Sequence, residues 1–259
     1  MSEIRIGVQV QPQHATYENM RRAWAELDAL GADMIFTWDH FHPLRGDADG
    51  LHFEGLTLQA AMAEVTERAQ IGALVMCNSY RNPQYLADAL RTVDHISGGR
   101  VIAGIGAGWF QRDYDEYGYE FGTAPDRLRA LRRDLPLFKA RMAKLNPAPI
   151  GPMPIMIGGT GEKVTLRLVA EHAQMWHGFG DVERYKAKAE ILAGHCADVG
   201  RDAAEVTHVW GIPDGRIEAA EALAEAGVGV LTVSVGGGDD AGYDLTAVER
   251  VLDWAGRLR

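Results

Sequence analysis

The 259-residue sequence contains little cysteine, a deficit of positive charge and no long hydrophobic run. Cys77 and Cys196 are its only cysteines, so the chain can assemble neither a disulfide framework nor a four-cysteine metal site. Lys and Arg number 26 against 36 Asp and Glu, and the resulting net charge of −10 repels a phosphate backbone. Nucleic acid is therefore not an expected partner.

No stretch approaches the ~18 to 20 apolar residues that cross a bilayer, and the first residues carry charges where a signal peptide would need an apolar segment. We therefore expect a cytoplasmic protein with no membrane partner. Hydrophobic residues make up 47% of the chain and charged residues 24%, which is ordinary for a globular protein with a large core.

Short runs rich in Val, Ile and Leu alternate with amphipathic segments along the chain, as in parallel strands joined by helices. Eight strands are predicted, over residues 4 to 10, 34 to 38, 71 to 76, 101 to 105, 155 to 157, 174 to 176, 206 to 210 and 228 to 235. Eight strand and helix pairs in about 250 residues predict a closed (β/α)8 TIM barrel, because a doubly wound sheet usually has fewer strands. No linker interrupts residues 1 to 259, so a single α/β domain is expected.

Helix boundaries are also visible in the sequence. Thr16 is a candidate N-cap for a first helix that stops at Gly31, and a third helix should begin at Pro83 and end at Gly98. A TIM barrel places its chemistry at the carboxyl ends of the strands, so the residues that follow each predicted strand are the candidate site residues.

The second predicted strand ends in a cluster of polar and aromatic residues, Trp38, Asp39, His40 and His42. An imidazole titrates near neutral pH and can carry the proton of a two-electron transfer, while an adjacent carboxylate can hold its tautomer. Asp39 and His40 are therefore the catalytic candidates. The alternative interpretation is a capping aspartate and a surface histidine in a loop.

Glycines follow the fourth and fifth predicted strands. Gly104, Gly106 and Gly108 alternate, which permits close backbone approach to a ligand but is not the dinucleotide-binding fingerprint. The second group lies directly before a predicted helix and consists of Gly158, Gly159, Thr160 and Gly161. Free amides at a helix start suit a phosphate, which we expect to be held by this backbone and the Thr160 hydroxyl without an arginine or lysine cluster. The alternative is a flexible turn.

Histidines leave a metal site open as an alternative, because zinc or iron could bind His14, His40, His42, His52 and His177. The later strands end in glycines where a barrel hydrolase would need further ligands, so we expect no metal. A metal-dependent barrel hydrolase remains the alternative of another class.

Several segments together resemble the bacterial luciferase-like family of flavin- and deazaflavin-dependent oxidoreductases, especially its members that use coenzyme F420. These segments are residues 37 to 41, 76 to 83, 94 to 100, 104 to 109 and 157 to 167. The helix that ends in Asp-His-Ile-Ser-Gly-Gly-Arg, residues 94 to 100, is the most specific of them.

The resemblance implies a barrel whose open end holds an isoalloxazine-type ring. It makes His40 the proton donor or acceptor beside the ring and Asp39 its partner or a cofactor contact. It also implies a non-proline cis peptide among Ala73, Leu74 and Val75. The cofactor-binding residues expected on this basis are Leu74, Val75, Met76, Cys77, Asn78, Gly106, Gly108, Gly158, Gly159, Thr160 and Gly161.

The substrate pocket is expected to include Gln11, Trp38, Trp109 and Trp176. Ala107 departs from the family, whose sugar-phosphate dehydrogenases carry a glutamate after strand four that serves the substrate and whose luciferases carry an arginine near the same point. Either specialised activity is therefore doubtful for this chain.

The resemblance implies an oxidoreductase that moves a hydride between a small organic substrate and coenzyme F420. The alternative cofactor is FMN, in a two-component monooxygenase supplied by a separate cofactor-reducing enzyme, and a further alternative is a noncatalytic flavin-binding protein. A homodimer is also expected, with Tyr85 and Leu86 of the third helix as candidate contacts.

Overall fold

Parallel strands form the centre of the molecule, for which a computed structural model describes residues 4–212, 215–238 and 242–258. The strands of the central sheet are β1 (Arg5–Val10), β2 (Met34–Thr37), β3 (Gln70–Ala73), β4 (Met76–Cys77), β5 (Val101–Gly106), β6 (Ile155–Gly158), β7 (Met175–Phe179), β8 (Thr207–Gly211) and β9 (Val230–Val235). A short antiparallel pair, β10 (Gly237–Gly238) and β11 (Gly242–Tyr243), follows them.

The central sheet closes on itself. Neighbouring strands pair in parallel from β1 through β2 to β3 and from β1 through β9 back to β5, and β3 pairs with β5 to complete the ring. Strands β3 and β4 share one barrel position, so the described residues form eight positions and confirm the predicted (β/α)8 barrel. The barrel interior is filled by a buried cluster that includes Met34, Phe36, Ile102, Met156 and Val209.

Helices surround the barrel at α1 (Tyr17–Leu30), α2 (Gly55–Val65), α3 (Pro83–Ser97), α4 (Gln111–Tyr117), α5 (Ala124–Met142), α6 (Thr165–His172), α7 (Val182–Asp198), α8 (Ile217–Glu225) and α9 (Thr246–Gly256). The predicted caps of α1 are confirmed, since the Thr16 hydroxyl accepts from the Asn19 amide and Gly31 is left-handed. The short helix α4 was not predicted, because one helix was expected between the fourth and fifth strands.

The predicted strand over residues 71 to 76 is broken into β3 and β4. The break lies at a cis peptide between Leu74 and Val75, which confirms the cis bond that the family resemblance implied. The two residues are half-buried and pack against the buried cluster inside the barrel, and we call them the Leu74–Val75 bulge.

The two candidate dimer contacts differ in accessibility. Tyr85 is 59% exposed, whereas Leu86 is 2% exposed and packs in the core, so the prediction for Leu86 is wrong. Leu86 lies on the apolar face of the amphipathic helix α3, and this face packs against the barrel. The homodimer itself stays a prediction. Among the residues described above, no helix has the length and apolar character required to cross a membrane.

Candidate active site

A cavity of about 350 Å³ opens at the carboxyl ends of the strands. Its walls contain His40, the Leu74–Val75 bulge, and the glycine loop after β6. The structure brings most of the predicted cofactor-binding residues to this cavity, namely Leu74, Val75, Met76, Cys77, Gly106, Gly108, Gly158, Gly159, Thr160 and Gly161. Its volume lies within the range of small-molecule sites, and an apolar bulge forms one wall. We call it the ring cavity, after the flat cofactor ring that the family resemblance predicts at this end of the barrel.

Two of its glycines make room for the bulge. A Cβ at Gly106 would lie 2.6 Å from Val75 Cγ2, and one at Gly158 would lie 3.0 Å from Val75 Cγ1. Such distances are too short for carbon atoms, so larger residues would displace the valine. Gly106, one of the alternate glycines, and Gly158 thus make room for the Val75 side chain. The expectation that the alternate glycines let a ligand approach the backbone stays a prediction.

A second cavity of about 280 Å³ adjoins the first and shares His40, Leu74, Trp109, His177 and Phe179 with it. We call it the substrate cavity. It also contains Trp38, Gln9, Thr232 and Ser234, and in the described part of the chain none of its lining residues is Lys, Arg, Asp or Glu. Burial lowers the pKa of His177 to about 4, so this imidazole is neutral at pH 7.

His40 lies at the junction of the two cavities and is held by an aspartate that the sequence analysis missed. His40 Nδ1 lies 2.7 Å from Asp113 Oδ2, and the two side chains are 13% and 0% exposed. The rings of Trp38 and Trp109 pack edge-on against the imidazole at centroid distances of 5.8 and 5.6 Å. A short buried hydrogen bond and aromatic packing thus fix the orientation of the imidazole.

Asp113 accepts two more hydrogen bonds. The Tyr80 hydroxyl donates to Oδ2 at 2.8 Å, and the Phe41 amide donates to Oδ1 at 3.0 Å. Burial alone would raise the pKa of Asp113, but the hydrogen bonds from His40 and Tyr80 lower it below its usual value. Because an ionised carboxylate only accepts, Nδ1 of His40 carries a proton and Nε2 is left to exchange one.

Asp39 is not the partner of His40, and that prediction is corrected. Its carboxylate receives two hydrogen bonds from Arg81, at 2.7 and 2.8 Å, and one from the Cys77 amide at 2.8 Å. Arg81 also pairs with Glu54. The carboxylate thus ties the loop after β2 to β4, which positions the cavity wall. Asp39 itself lines the ring cavity, so its other expected role, as a cofactor contact, stays a prediction.

The predicted substrate residues separate into two groups. Trp38 and the exposed Trp109 line the substrate cavity, and Trp38 Nε1 donates to His52 Nε2 at 2.9 Å. Gln11 lies instead in a neighbouring polar cavity, where its amide oxygen accepts from Arg45 at 3.0 Å.

The prediction for Trp176 is wrong. Side chains alternate along β7, which extends to Phe179. His177 therefore faces the cavities, and Trp176 faces away from them and is buried in the core between the barrel and its helices. Trp176 Nε1 donates to the Gly159 carbonyl at 2.8 Å and therefore supports the glycine loop from behind.

Asn78 also departs from the prediction. Its amide nitrogen donates to Asp134 at 2.8 Å, and the residue faces a separate cavity beside α5. Its neighbour Cys77 does line the ring cavity, but burial raises the pKa of the thiol to about 11, so it is not a nucleophile at pH 7.

The glycine loop after β6 presents free donors to the ring cavity. Gly159 has a φ of 123°, and the backbone amides of residues 160 to 163 donate to no other group in the part of the chain that the structure describes. Helix α6 follows directly, without a side-chain N-cap. Open amides at a helix start attract an anion, and the phosphate position stays a prediction.

Within the described ranges, no three His, Cys, Asp or Glu residues are grouped so that they could hold a metal ion. His40 is instead committed to Asp113, and His52 to Trp38.

A closed barrel with a ring cavity at its carboxyl end defines the class of this protein. The family model described as luciferase-like monooxygenase matches residues 1–231, and the chain belongs to that family. This confirms the resemblance found in the sequence.

Relatives and solved structures agree with this assignment. An F420-dependent glucose-6-phosphate dehydrogenase of Rhodococcus erythropolis is 30% identical over 180 residues, which cover 62% of this chain and 53% of the relative. The match therefore spans about half of that relative. An F420-dependent secondary alcohol dehydrogenase in complex with an F420–acetone adduct is 15% identical with a TM-score of 0.85, over 100% of both chains. The F420-dependent tetrahydromethanopterin reductase of Methanopyrus kandleri is 14% identical with a TM-score of 0.74, over 99% of this chain and 98% of its own. The two structures share the fold.

Proposed function

We propose that the protein is an oxidoreductase that moves a hydride between coenzyme F420 and a small neutral alcohol or carbonyl compound. The observation that carries this proposal is the position of His40 at the junction of the ring and substrate cavities, with Nδ1 held by Asp113. The F420-dependent relatives support the choice of cofactor.

The ring cavity has the features that F420 requires. The Leu74–Val75 bulge offers an apolar surface to a flat ring, and the open amides of residues 160 to 163 offer donors to a phosphate. When bound, the deazaflavin supplies a carbon centre that gives or takes a hydride.

His40 manages the proton. In the oxidation of an alcohol the C–H bond breaks as the hydride leaves, and His40 Nε2 takes the hydroxyl proton; in the reduction of a carbonyl His40 returns it. Asp113 keeps the proton on Nδ1 and stabilises the imidazolium that forms. Trp38 and Trp109 pack edge-on against the imidazole that makes this exchange.

The substrate cavity favours an uncharged molecule. Among the described residues, its lining contains no Lys or Arg to bind a phosphate and no carboxylate to bind an amine, while Gln9, Thr232 and Ser234 provide neutral polar groups. Ala107 in the ring cavity wall has no side chain that could serve a sugar phosphate. We therefore propose a small neutral alcohol or ketone as substrate, and not glucose 6-phosphate.

Fluorescence titration and anaerobic turnover test the proposal. We expect F420 to bind more tightly than FMN, and small secondary alcohols to reduce it without oxygen, faster than a phosphorylated sugar does. Tighter binding of FMN together with oxygen uptake would contradict the proposal and favour the two-component monooxygenase.

A further inference from the structure

Arg184 lies in the first turn of α7 and reaches back to the glycine loop after β6. Its Nη2 donates to the Thr160 hydroxyl oxygen at 3.0 Å, and its guanidinium carbon lies 5.7 Å from the centre of the Phe179 ring. Phe179 is 63% exposed and lines both cavities. The guanidinium therefore lies at the open end of the loop, beside the amides of residues 160 to 163.

The charge of Arg184 is not neutralised by a neighbouring acid. Glu162 pairs with Lys188, Glu183 pairs with Lys186, and the Asp181 carboxylate accepts the Arg184 backbone amide as the N-cap of α7. No ion pair joins Arg184 to a carboxylate in the described ranges. In a chain of net charge −10, an arginine left without an acid beside open amides creates a local positive site.

The backbone makes room for this arrangement. Gly180 has a φ of 129°, and a Cβ there would lie 2.7 Å from Arg184 Cδ. Because a larger residue at position 180 would displace the arginine stem, the turn before α7 and the Arg184 side chain depend on each other.

We infer that Arg184 binds the phosphate of the cofactor, together with the loop amides. This adds a single arginine to a phosphate site that was expected to have no arginine or lysine cluster, and it rests on the proposed function. The guanidinium uses one of its N–H donors for Thr160 and has others available for an anion. The Thr160 hydroxyl accepts this hydrogen bond and can still donate its own proton. Charge-assisted bonds of this kind are about twice as strong as neutral ones.

Binding titrations with two probes test this inference. The probes are F420 and its deazaflavin–ribitol fragment, which lacks the phosphate. Arg184→Ala should weaken F420 about tenfold to a hundredfold and leave the fragment within about twofold, since only the phosphate contact is lost. Arg184→Lys should recover part of the loss, because it keeps the charge without the fork of donors.

Lys186→Ala is the matched control, because it removes the same charge from the same turn of α7, where Lys186 pairs with Glu183. It should leave both dissociation constants within about twofold. The inference would be overturned if Arg184→Ala lost the same affinity for both probes, or lost affinity for neither. In either case, F420 binding by the unaltered protein would still uphold the proposed function. Failure of the unaltered protein to bind F420 would overturn both.

Discussion

On one side of the barrel mouth, after β2, β4 and β5, His40, Tyr80 and Asp113 form a hydrogen-bond network in which the Asp113 carboxylate already accepts all its bonds from the protein. Further round the mouth, after β6 and β7, the amides of residues 160 to 163 are free, Thr160 and Gly161 line the ring cavity, and the guanidinium of Arg184 bonds to Thr160 with donors to spare. The first side is preorganised for proton transfer, and the second is left incomplete until a ligand binds. Variants on the first side should therefore change rates, and variants on the second side should change affinities.

The largest expected effect is on turnover when the proton carrier is removed. His40→Ala should lower turnover of a small alcohol by ~10² to 10⁴ and leave F420 affinity within a few fold, because a positioned acid or base contributes that much. Steady-state rates and a fluorescence titration measure the two quantities.

His42→Ala is the control for this variant, since His42 lies two residues away, near Glu116, and is absent from the walls of both cavities. Unchanged turnover in His40→Ala would make His40 a structural residue.

A second variant concerns stability on the same side of the mouth. Asp39→Asn leaves the buried Arg81 with Glu54 as its remaining partner, and should lower the free energy of unfolding by about 2 to 4 kcal/mol. Asp49→Asn breaks an exposed pair with Arg112 and should cost less than about 1 kcal/mol. Denaturant titration measures the free energy of unfolding of both variants. Equal losses would show that the buried Asp39–Arg81 pair stabilises the fold no more than the exposed pair does.

The third prediction concerns the contact between Gly106 and the Leu74–Val75 bulge. Gly106→Ala should weaken F420 binding by about tenfold, because the added carbon pushes Val75 into the ring cavity. Val75→Ala in the same chain should restore part of the affinity. Gly194→Ala, at an open position of α7, should have no effect on the dissociation constant. Simple addition of the two losses at residues 75 and 106 would argue against contact between them.

The smallest expected effect is on how the stability of the fold depends on pH. Burial lowers the pKa of His208 to about 4, whereas an unfolded histidine titrates near 6.5, so the unfolded chain binds more protons between these values. The melting temperature should therefore fall as the pH drops from 7 to 5, and His208→Gln should flatten this slope. A slope that is unchanged in the variant would assign the effect to other groups.

The barrel could be predicted because each strand is an apolar run between turn residues, and the position of His40 followed from the end of β2. Asp113 could not be predicted in this way. It lies on the short helix α4, in contact with a residue 73 positions earlier, and only the folded barrel brings the two together.

Trp176 was assigned to the wrong face and Arg184 was not predicted, for different reasons. The sixth predicted strand ended at Trp176, but pairing with β8 continues β7 to Phe179, and the alternation of side chains along this strand puts Trp176 on the face opposite His177. Arg184 belongs to a helix that follows a different strand from the loop it contacts, so sequence spacing carries no signal for the pair.

A double-variant cycle measures most directly whether His40 and Asp113 act as one unit. Single-turnover reduction of F420 by a small neutral alcohol would be compared in the unaltered protein, His40→Ala, Asp113→Asn and the double variant. If Asp113 acts only through His40, the double variant is no slower than His40→Ala. Losses that multiply in the double variant would contradict the account, because they would give Asp113 a role independent of the imidazole.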